Sequence, residues 1–286
     1  MNKEFFVSTF REWRLYIETF LKWLVIASLI GGAGGLMGAI FHHSIDMAEV
    51  FRSTHPWLLW LLPIAGLLIV GFYKMTRTEG LNTNHVIRAV HKGKRLSVLL
   101  MPAIFFATVL TQLCGGSAGR EGAALQMGGT IGQWIGRGLH LDDSDLRIAT
   151  LAGMAAFFSA LFGTPLAAAV FAVMVISIGI LYHVALVPCL IASLSAYFLA
   201  GALGVQPVRF AVQVPEASAM TFFQVGFLGI LCALVSILFC MMMHGAEKGM
   251  RKILPNAWLR VLAGAGIIIV LTYLCGTNDY NGVGMG

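Results

Sequence analysis

Long uncharged stretches alternate with short polar segments along this chain. The stretches cover residues 23–41, 56–73, 96–119, 122–136, 148–208, 221–243 and 261–278. A helix that crosses the hydrocarbon core of a bilayer needs about 20 mostly apolar residues, and several stretches reach that length. The pattern therefore predicts an all-α protein that crosses a membrane several times.

The first residues follow a different pattern. Phe6, Phe10, Trp13, Ile17 and Phe20 recur at spacings of three and four among basic residues. This spacing puts the apolar side chains on one face of a helix, as in helices that lie on a membrane surface. We expect residues 1–22 to form a cytoplasmic interfacial helix. Residues 23–286 then form one transmembrane domain in the cell (plasma or inner) membrane.

Composition excludes most soluble classes of protein. Only 11% of the residues are charged and 58% are hydrophobic, whereas soluble domains carry about 25% charged residues. The net charge of +6 does not indicate nucleic acid, because the basic residues lie between the apolar stretches; the expected partner is a lipid bilayer. The five cysteines lie in apolar surroundings without a CxxC pair, so we assign no metal, no cofactor and no disulfide.

One apolar stretch is too short to cross a bilayer. Residues 122–136 are separated from the preceding stretch by Arg120 and Glu121, inside the glycine cluster 114–122. Two partial helices that meet at a break fit this pattern better than two full spans. Such discontinuous helices form ion sites, because their amino termini direct free N–H groups toward an anion. Further breaks are expected near Gly163–Pro165 and around 183–188.

The distribution of basic residues gives a topology. If the broken element crosses the membrane once, most of the 19 Lys and Arg residues lie on the inside with the amino terminus. Those left outside are Arg52, Arg137, Arg147 and Arg209, together with the acidic cluster Asp142, Asp143 and Asp145. The asymmetry requires Arg120 and Glu121 to lie within the membrane.

Glu121 is the most informative residue of this arrangement. A carboxyl group inside a membrane is costly and commonly marks an ion pathway, a proton relay or a binding site. In a functional role the carboxylate occupies an anion position made by backbone N–H groups, and protonation frees it to leave. The alternative is a static ion pair with Arg120.

The residues around Glu121 resemble a known family. Gly119-Arg-Glu-Gly122, followed by Leu125-Gln-Met-Gly-Gly129, is similar to the signature of the CLC chloride channels and proton-coupled anion antiporters. The segment 162–171 resembles a later Pro-containing helix of the same family. The resemblance implies broken and re-entrant helices in two inverted halves, a homodimer with one pore per subunit, and transport rather than enzymatic activity.

The same resemblance implies roles for individual residues. Glu121 would be the gate and the proton carrier, with a small anion and a proton as substrates. The anion would face backbone groups in two segments. These residues are Gly80, Leu81, Asn82 and Thr83 in the first segment, and Gly119, Arg120, Gly122 and Ala123 in the second. The first segment has an alternative reading as an ordinary cytoplasmic loop.

Two departures from the family pattern bear on the anion. Leu81 stands where most members have a serine, and an apolar residue there is similar to the fluoride-transporting branch. The cytoplasm-facing proton-transfer glutamate of the chloride/proton antiporters falls near Met174 and Val175, neither of which carries a proton. This excludes the usual proton route but not proton coupling, since the fluoride branch is similar in lacking that glutamate. Fluoride/proton antiport is therefore the first expectation, and a chloride channel or chloride/proton exchanger is the alternative.

The end of the chain resembles the middle of the family fold. Residues 276–284 are similar to the glycine-rich link that opens the second half. The chain therefore reads as the first of two inverted repeats, truncated near the start of the second. An inactive or regulatory membrane fragment is the alternative of another class. Extending the reading frame past Gly286 separates the two.

Overall fold

The computed structural model describes residues 3–92, 95–176, 182–206, 216 and 218–282. All regular elements in these residues are helical, as predicted. They are α1 (Lys3–Thr54), α2 (Leu62–Met75), α3 (Thr83–Lys92), α4 (Leu100–Leu113), α5 (Glu121–Gly138), α6 (Asp143–Phe162), α7 (Pro165–Met174), α8 (Leu186–Ala202), α9 (Ala219–Ile253) and α10 (Ala257–Cys275), with 3-10 helices at Pro56–Leu61 and His183–Ala185. Arg209 and Gly284 lie outside the described residues, as do the side chains of Phe6 and Phe10.

Six helical segments in the described part of the chain are long and apolar enough to cross a membrane. They are Trp13–Thr54, Pro56–Met75, Asp143–Phe162, His183–Ala202, Ala219–Ile253 and Ala257–Cys275. The protein is accordingly an integral, multi-pass membrane protein. Helix α1 continues without interruption through residue 22 and is ~78 Å long at 1.5 Å per residue. The boundary between its surface part and its membrane part stays a prediction.

Helix α6 forms the centre of the bundle, and α5 packs closely on it. A Cβ atom at Gly128 would collide with the carbonyl oxygen of Gly153, and one at Gly132 would collide with that of Ala149. Backbones approach this closely only where side chains are absent, which is how transmembrane helices associate without a hydrophobic driving force. Gly128 and Gly132 therefore form part of the contact surface between α5 and α6.

Helix α1 uses its own glycines in the same way. Gly31 and Gly35 lie against Ala192 and Ala196 of α8, where a Cβ atom on either glycine would meet backbone atoms. On a neighbouring face of α1, Gly34 lies against Ala156 of α6. A single glycine-rich segment of α1 therefore packs on two neighbours at once and fixes their positions relative to each other.

Helices α9 and α10 differ in how much of their surface is buried. α10 packs on α2, with Val261 filling the space beside Gly66. α9 has no buried residue among the residues that the structure describes. Its length and apolar composition nevertheless make it one of the six candidate spans.

The predicted topology needs one correction. Lys22 of α1 forms an ion pair with Asp145 at the start of α6, so both lie at the same end of the bundle. Leu96, which precedes α4, donates its N–H to Gln133 Oε1 of α5 at 2.7 Å. Helix α4 therefore leaves from the end to which α5 returns. The prediction that the broken element crosses the membrane once is wrong, because the start of α4 and the end of α5 lie at the same end of the bundle.

This correction increases the asymmetry in Lys and Arg residues between the two ends. Arg137 lies in the last turn of α5 and Arg147 near the start of α6, so both move to the end that carries Lys22. Arg52, in the last turn of α1, stays at the opposite end. Which end faces the cytoplasm remains a prediction.

Candidate functional site

The predicted break between α4 and α5 is present in the structure. Helix α4 ends at Leu113, and Gly115 adopts a φ of +76°, a left-handed conformation that favours glycine. The N–H of Gly116 donates to the Thr111 carbonyl oxygen at 2.9 Å and closes the end of the helix. A short non-helical segment, residues 114–120, then leads to Glu121, the first residue of α5.

The amino terminus of α5 offers free hydrogen-bond donors. Its first backbone bond within the described chain is donated by Ala124 to the Arg120 carbonyl oxygen at 2.9 Å. The N–H groups of Glu121, Gly122 and Ala123 have no acceptor among the described residues. Free N–H groups and the positive end of the helix dipole favour an anion at this position.

The carboxylate of Glu121 folds back over the chain that precedes it. The side chain is exposed, and a Cβ atom at Gly119 would collide with Glu121 Oε2. The absence of a side chain at Gly119 therefore makes room for this carboxylate beside the first turn of α5. The glycine and the glutamate form one structural unit.

Arg120 lies apart from that carboxylate. Its side chain is only 3% exposed, and Cζ lies 6.0 Å from the centre of the Phe162 ring. Among the ion pairs of the described residues, none joins Arg120 to Glu121. The static ion pair considered as the alternative role for Glu121 is absent from this structure.

The loop before α3 carries the second predicted segment. Gly80 has a φ of +77°, and Asn82 Oδ1 accepts the His85 N–H at 3.1 Å and so caps α3. Leu81 donates its N–H to the Thr78 carbonyl oxygen at 3.1 Å. The expectation that the Leu81 N–H faces an anion is therefore wrong, because that group already has an acceptor.

Two other donors in this segment remain available. The N–H groups of Thr83 and Asn84, the first two residues of α3, have no acceptor within the described chain. Of the predicted residues, Thr83 therefore keeps a free N–H, and Asn84 adds a donor that the sequence analysis did not identify. The alternative of an ordinary cytoplasmic loop stays open, because the first N–H groups of any helix lack an intrahelical acceptor.

The amino termini of α3 and α5 meet. A Cβ atom at Gly122 would lie 3.2 Å from Thr83 Oγ1, which is tighter than ordinary contact. Gln126, one turn into α5, donates from Nε2 to the same Thr83 oxygen at 3.2 Å. The sequence analysis identified Thr83 but not Gln126. The sign of Gln126 in the sequence is a single amide side chain among the apolar residues of α5.

The side chain of Leu81 lies on the other side of its loop. It is half-buried against the hydrophobic core and lines a cavity of about 300 Å³ together with Tyr73 and Arg260. An apolar residue at this position therefore has a packing role, which is compatible with a further effect on the anion.

A comparison with known families identifies this architecture. A family model described as voltage gated chloride channel matches residues 66–285. The chain belongs to this family. The two helices whose amino termini form the site, α3 and α5, both fall within the matched region.

Curated members of the CLC family are similar over most of the chain. A chloride/fluoride channel protein of Pseudomonas syringae pv. tomato is 33% identical over 262 residues, which cover 91% of this chain and 58% of that protein. An H⁺/Cl⁻ exchange transporter, ClcA of Cronobacter sakazakii, is 32% identical over 170 residues, covering 54% and 36%. The chain thus spans little more than half the length of the first relative.

Solved structures of the CLC family have the same fold. The crystal structure of a CLC-type fluoride/proton antiporter superposes with a TM-score of 0.85 at 28% identity, covering 92% of this chain and 67% of that one. A slow cyanobacterial Cl⁻/H⁺ antiporter superposes with a TM-score of 0.72 at 22% identity, covering 87% and 63%. The second match shows the fold alone.

Proposed function

We propose that this protein carries a small anion across the membrane in exchange for protons, with fluoride as the preferred anion. Glu121 is the gate and the proton carrier in this proposal. The observation that carries it is the meeting of two helix amino termini at Thr83 and Gly122, beside a carboxylate that folds over Gly119.

The mechanism follows from competition for the same donors. The free N–H groups at the starts of α3 and α5 attract one negative charge, which either an anion or the Glu121 carboxylate supplies. Protonation removes the charge of the carboxyl group and weakens its hold on the donors. An anion then enters as the protonated side chain leaves, so that movement of the anion and of the proton is linked.

The residue at position 81 favours fluoride over chloride. Leu81 supplies no hydroxyl group at the position where most family members have serine, and the donors that remain are compact backbone N–H groups. The relatives named above include both a chloride/fluoride channel protein and H⁺/Cl⁻ exchange transporters. Chloride transport, by a channel or an exchanger, is therefore the second candidate.

Other parts of the proposal concern the assembly. We expect a homodimer in the lipid bilayer, with the amino terminus in the cytoplasm. A distinct class, an inactive or regulatory membrane fragment, applies if the 286-residue chain does not transport when reconstituted.

The test is transport by protein reconstituted in liposomes. The liposomes contain the protein as its gene encodes it. Fluoride and chloride efflux from them are measured with anion-selective electrodes, with and without a proton gradient. We expect fluoride efflux to exceed chloride efflux, and an imposed proton gradient to drive fluoride uptake. Equal proton-driven uptake of both anions favours the chloride candidate. An absence of all transport favours the inactive fragment.

The variant Glu121→Gln tests the assigned role. The amide keeps the shape of the side chain but cannot exchange a proton. Proton-driven uptake should be lost while passive anion efflux persists. Glu216→Gln, which changes an exposed carboxyl group outside the helices, is the matched control and should retain coupling. Proton-driven uptake by Glu121→Gln would show that the role is wrong.

A further inference from the structure

A buried glutamine holds the segment that precedes Glu121. The side chain of Gln112, in the last turn of α4, is fully buried. Its Nε2 donates to the carbonyl oxygen of Ala118 at 2.7 Å. Ala118 lies three residues before Glu121, in the middle of the break.

The segment after α10 binds Ala118 through its N–H group. The N–H of Ala118 donates to the Gly282 carbonyl oxygen at 3.3 Å. One residue earlier, Ser117 Oγ donates to the Tyr280 carbonyl oxygen at 2.6 Å. Both polar groups of Ala118 are thus paired, one with a side chain of α4 and one with backbone far away in sequence.

This distant segment is itself anchored. Asn281 is buried, and its Oδ1 accepts the Thr272 hydroxyl of α10 at 3.0 Å. Gly282 has a φ of +70°, and a Cβ atom there would lie 2.7 Å from Arg52 Nη2 and 3.0 Å from Gln112 Oε1. The carbonyl that receives the Ala118 N–H is therefore fixed by α1, α4 and α10 together.

Stability alone does not explain the glutamine. Gln112 Oε1 is buried without a hydrogen-bond partner in the described chain. A half-satisfied buried amide is less favourable than an apolar side chain of similar size, because the unpaired oxygen has lost its water. The remaining contribution of this side chain is the direction that it gives to the Ala118 peptide.

We infer that Gln112 is a positioning residue for the gate: together with the Gly282 carbonyl, it holds Ala118 so that the Glu121 carboxylate folds over Gly119, in front of the free donors of α5. The inference rests on the proposed function of Glu121. If Ala118 is released, residues 118–120 can shift, and the carboxylate no longer closes the site in every cycle. Anions then pass without protons.

The test compares two buried glutamines. Gln112→Met keeps the length and apolar packing of the side chain but removes its donor. Gln133→Met is the matched control, because Gln133 is 2% exposed and also bonds to backbone, at Leu96, but lies near the far end of α5. In liposomes, Gln112→Met should lower the ratio of protons to anions at least twofold while anion flux persists. Gln133→Met should keep the ratio of the unaltered protein.

A second variant removes a single hydrogen bond of the same segment. Ser117→Ala alters an exposed side chain and deletes only the bond to Tyr280, so it should lower the same ratio by a smaller amount. It decides the test by itself if Gln112→Met does not fold. Wild-type ratios in the folded variants overturn the inference.

The proposed function is tested in parallel with Glu121→Gln. If that variant loses proton-driven uptake but Gln112→Met and Ser117→Ala keep normal coupling, only the positioning role fails. If Glu121→Gln retains proton-driven uptake, the proposed function itself fails.

Discussion

Thr83 and Gly122 lie where the amino termini of α3 and α5 meet, with Thr83 Oγ1 only 3.2 Å from the position of a Cβ atom on Gly122. The hydroxyl oxygen accepts the Gln126 amide, which leaves its own O–H free of any acceptor within the described residues. One side chain therefore joins the two helices and still has a donor available at the junction. The proximity depends on glycine at position 122.

Thr83→Val should weaken anion binding. Valine has nearly the same shape but removes both the acceptor for Gln126 and the free O–H donor. A hydrogen bond to a charged group contributes about 1.5–3 kcal/mol, so we expect the fluoride Kd to rise at least about tenfold. Titration calorimetry in detergent measures it. Thr83→Ser, which retains the hydroxyl group, is the control and should bind nearly as the unaltered protein does.

Gly119→Ala should open the gate. The added methyl group takes the space of Glu121 Oε2, so the carboxylate must turn away from the start of α5. Passive fluoride efflux should increase and the number of protons moved per anion should fall. Gly138→Ala is the matched control, since a Cβ atom at Gly138 has no neighbour within 4 Å. Unchanged coupling in Gly119→Ala would mean that the folded-back carboxylate is not the closed state.

Sequence patterns predicted the elements well. The apolar stretches, the break before Glu121 and the break at Gly163–Pro165 all appear in the structure, because glycine, proline and charge interrupt apolar helices for local reasons. The family resemblance placed Glu121 at the start of a helix. These features depend on neighbours in sequence and are readable from it.

Other features depend on contacts between residues that are far apart in the sequence, so the sequence pattern did not predict them. The sequence gives no sign that Lys22 meets Asp145, and the single-crossing topology therefore failed. The Leu81 N–H is not available as a donor, because a turn bond to Thr78 forms once the loop folds. The ties of Ala118 to Gln112 and Gly282 join three separate segments, which a local pattern does not reveal.

Gly132→Ala should destabilise the bundle. The new Cβ atom would collide with the Ala149 carbonyl oxygen, and backbone cannot turn aside as a flexible side chain can. Overpacking of this kind costs about 1–3 kcal/mol. Thermal denaturation of detergent-solubilised protein should show a lower midpoint. Gly138→Ala on the same helix should show an equal or higher midpoint, because alanine favours the helix by up to about 1 kcal/mol. Equal midpoints would contradict the close α5–α6 packing.

The corrected topology predicts which residues face the cytoplasm. Lys22, Arg137 and Arg147 share one end of the bundle, and basic residues concentrate on the cytoplasmic side. In a variant without native cysteines, Ser144→Cys should be protected from a membrane-impermeant thiol reagent in intact cells. Ser53→Cys, at the opposite end of α1, should be labelled. Both side chains are exposed, so accessibility alone does not separate them. The reverse labelling pattern would invert the orientation.

Leu81→Ser tests the preference for fluoride. Fluoride is small and holds water tightly, so its site has to offer compact donors, and a further hydroxyl group at position 81, in addition to that of Thr83, suits a larger halide. The serine should shift the fluoride-to-chloride flux ratio toward chloride by about fivefold, since a neutral hydrogen bond contributes about 1 kcal/mol net. Because Leu81 is half-buried against the core, Leu81→Ala is the control for lost packing and should leave the ratio unchanged. If both variants lower total flux at a constant ratio, Leu81 acts through packing alone, and selectivity resides in the N–H groups of Thr83, Asn84 and the first turn of α5.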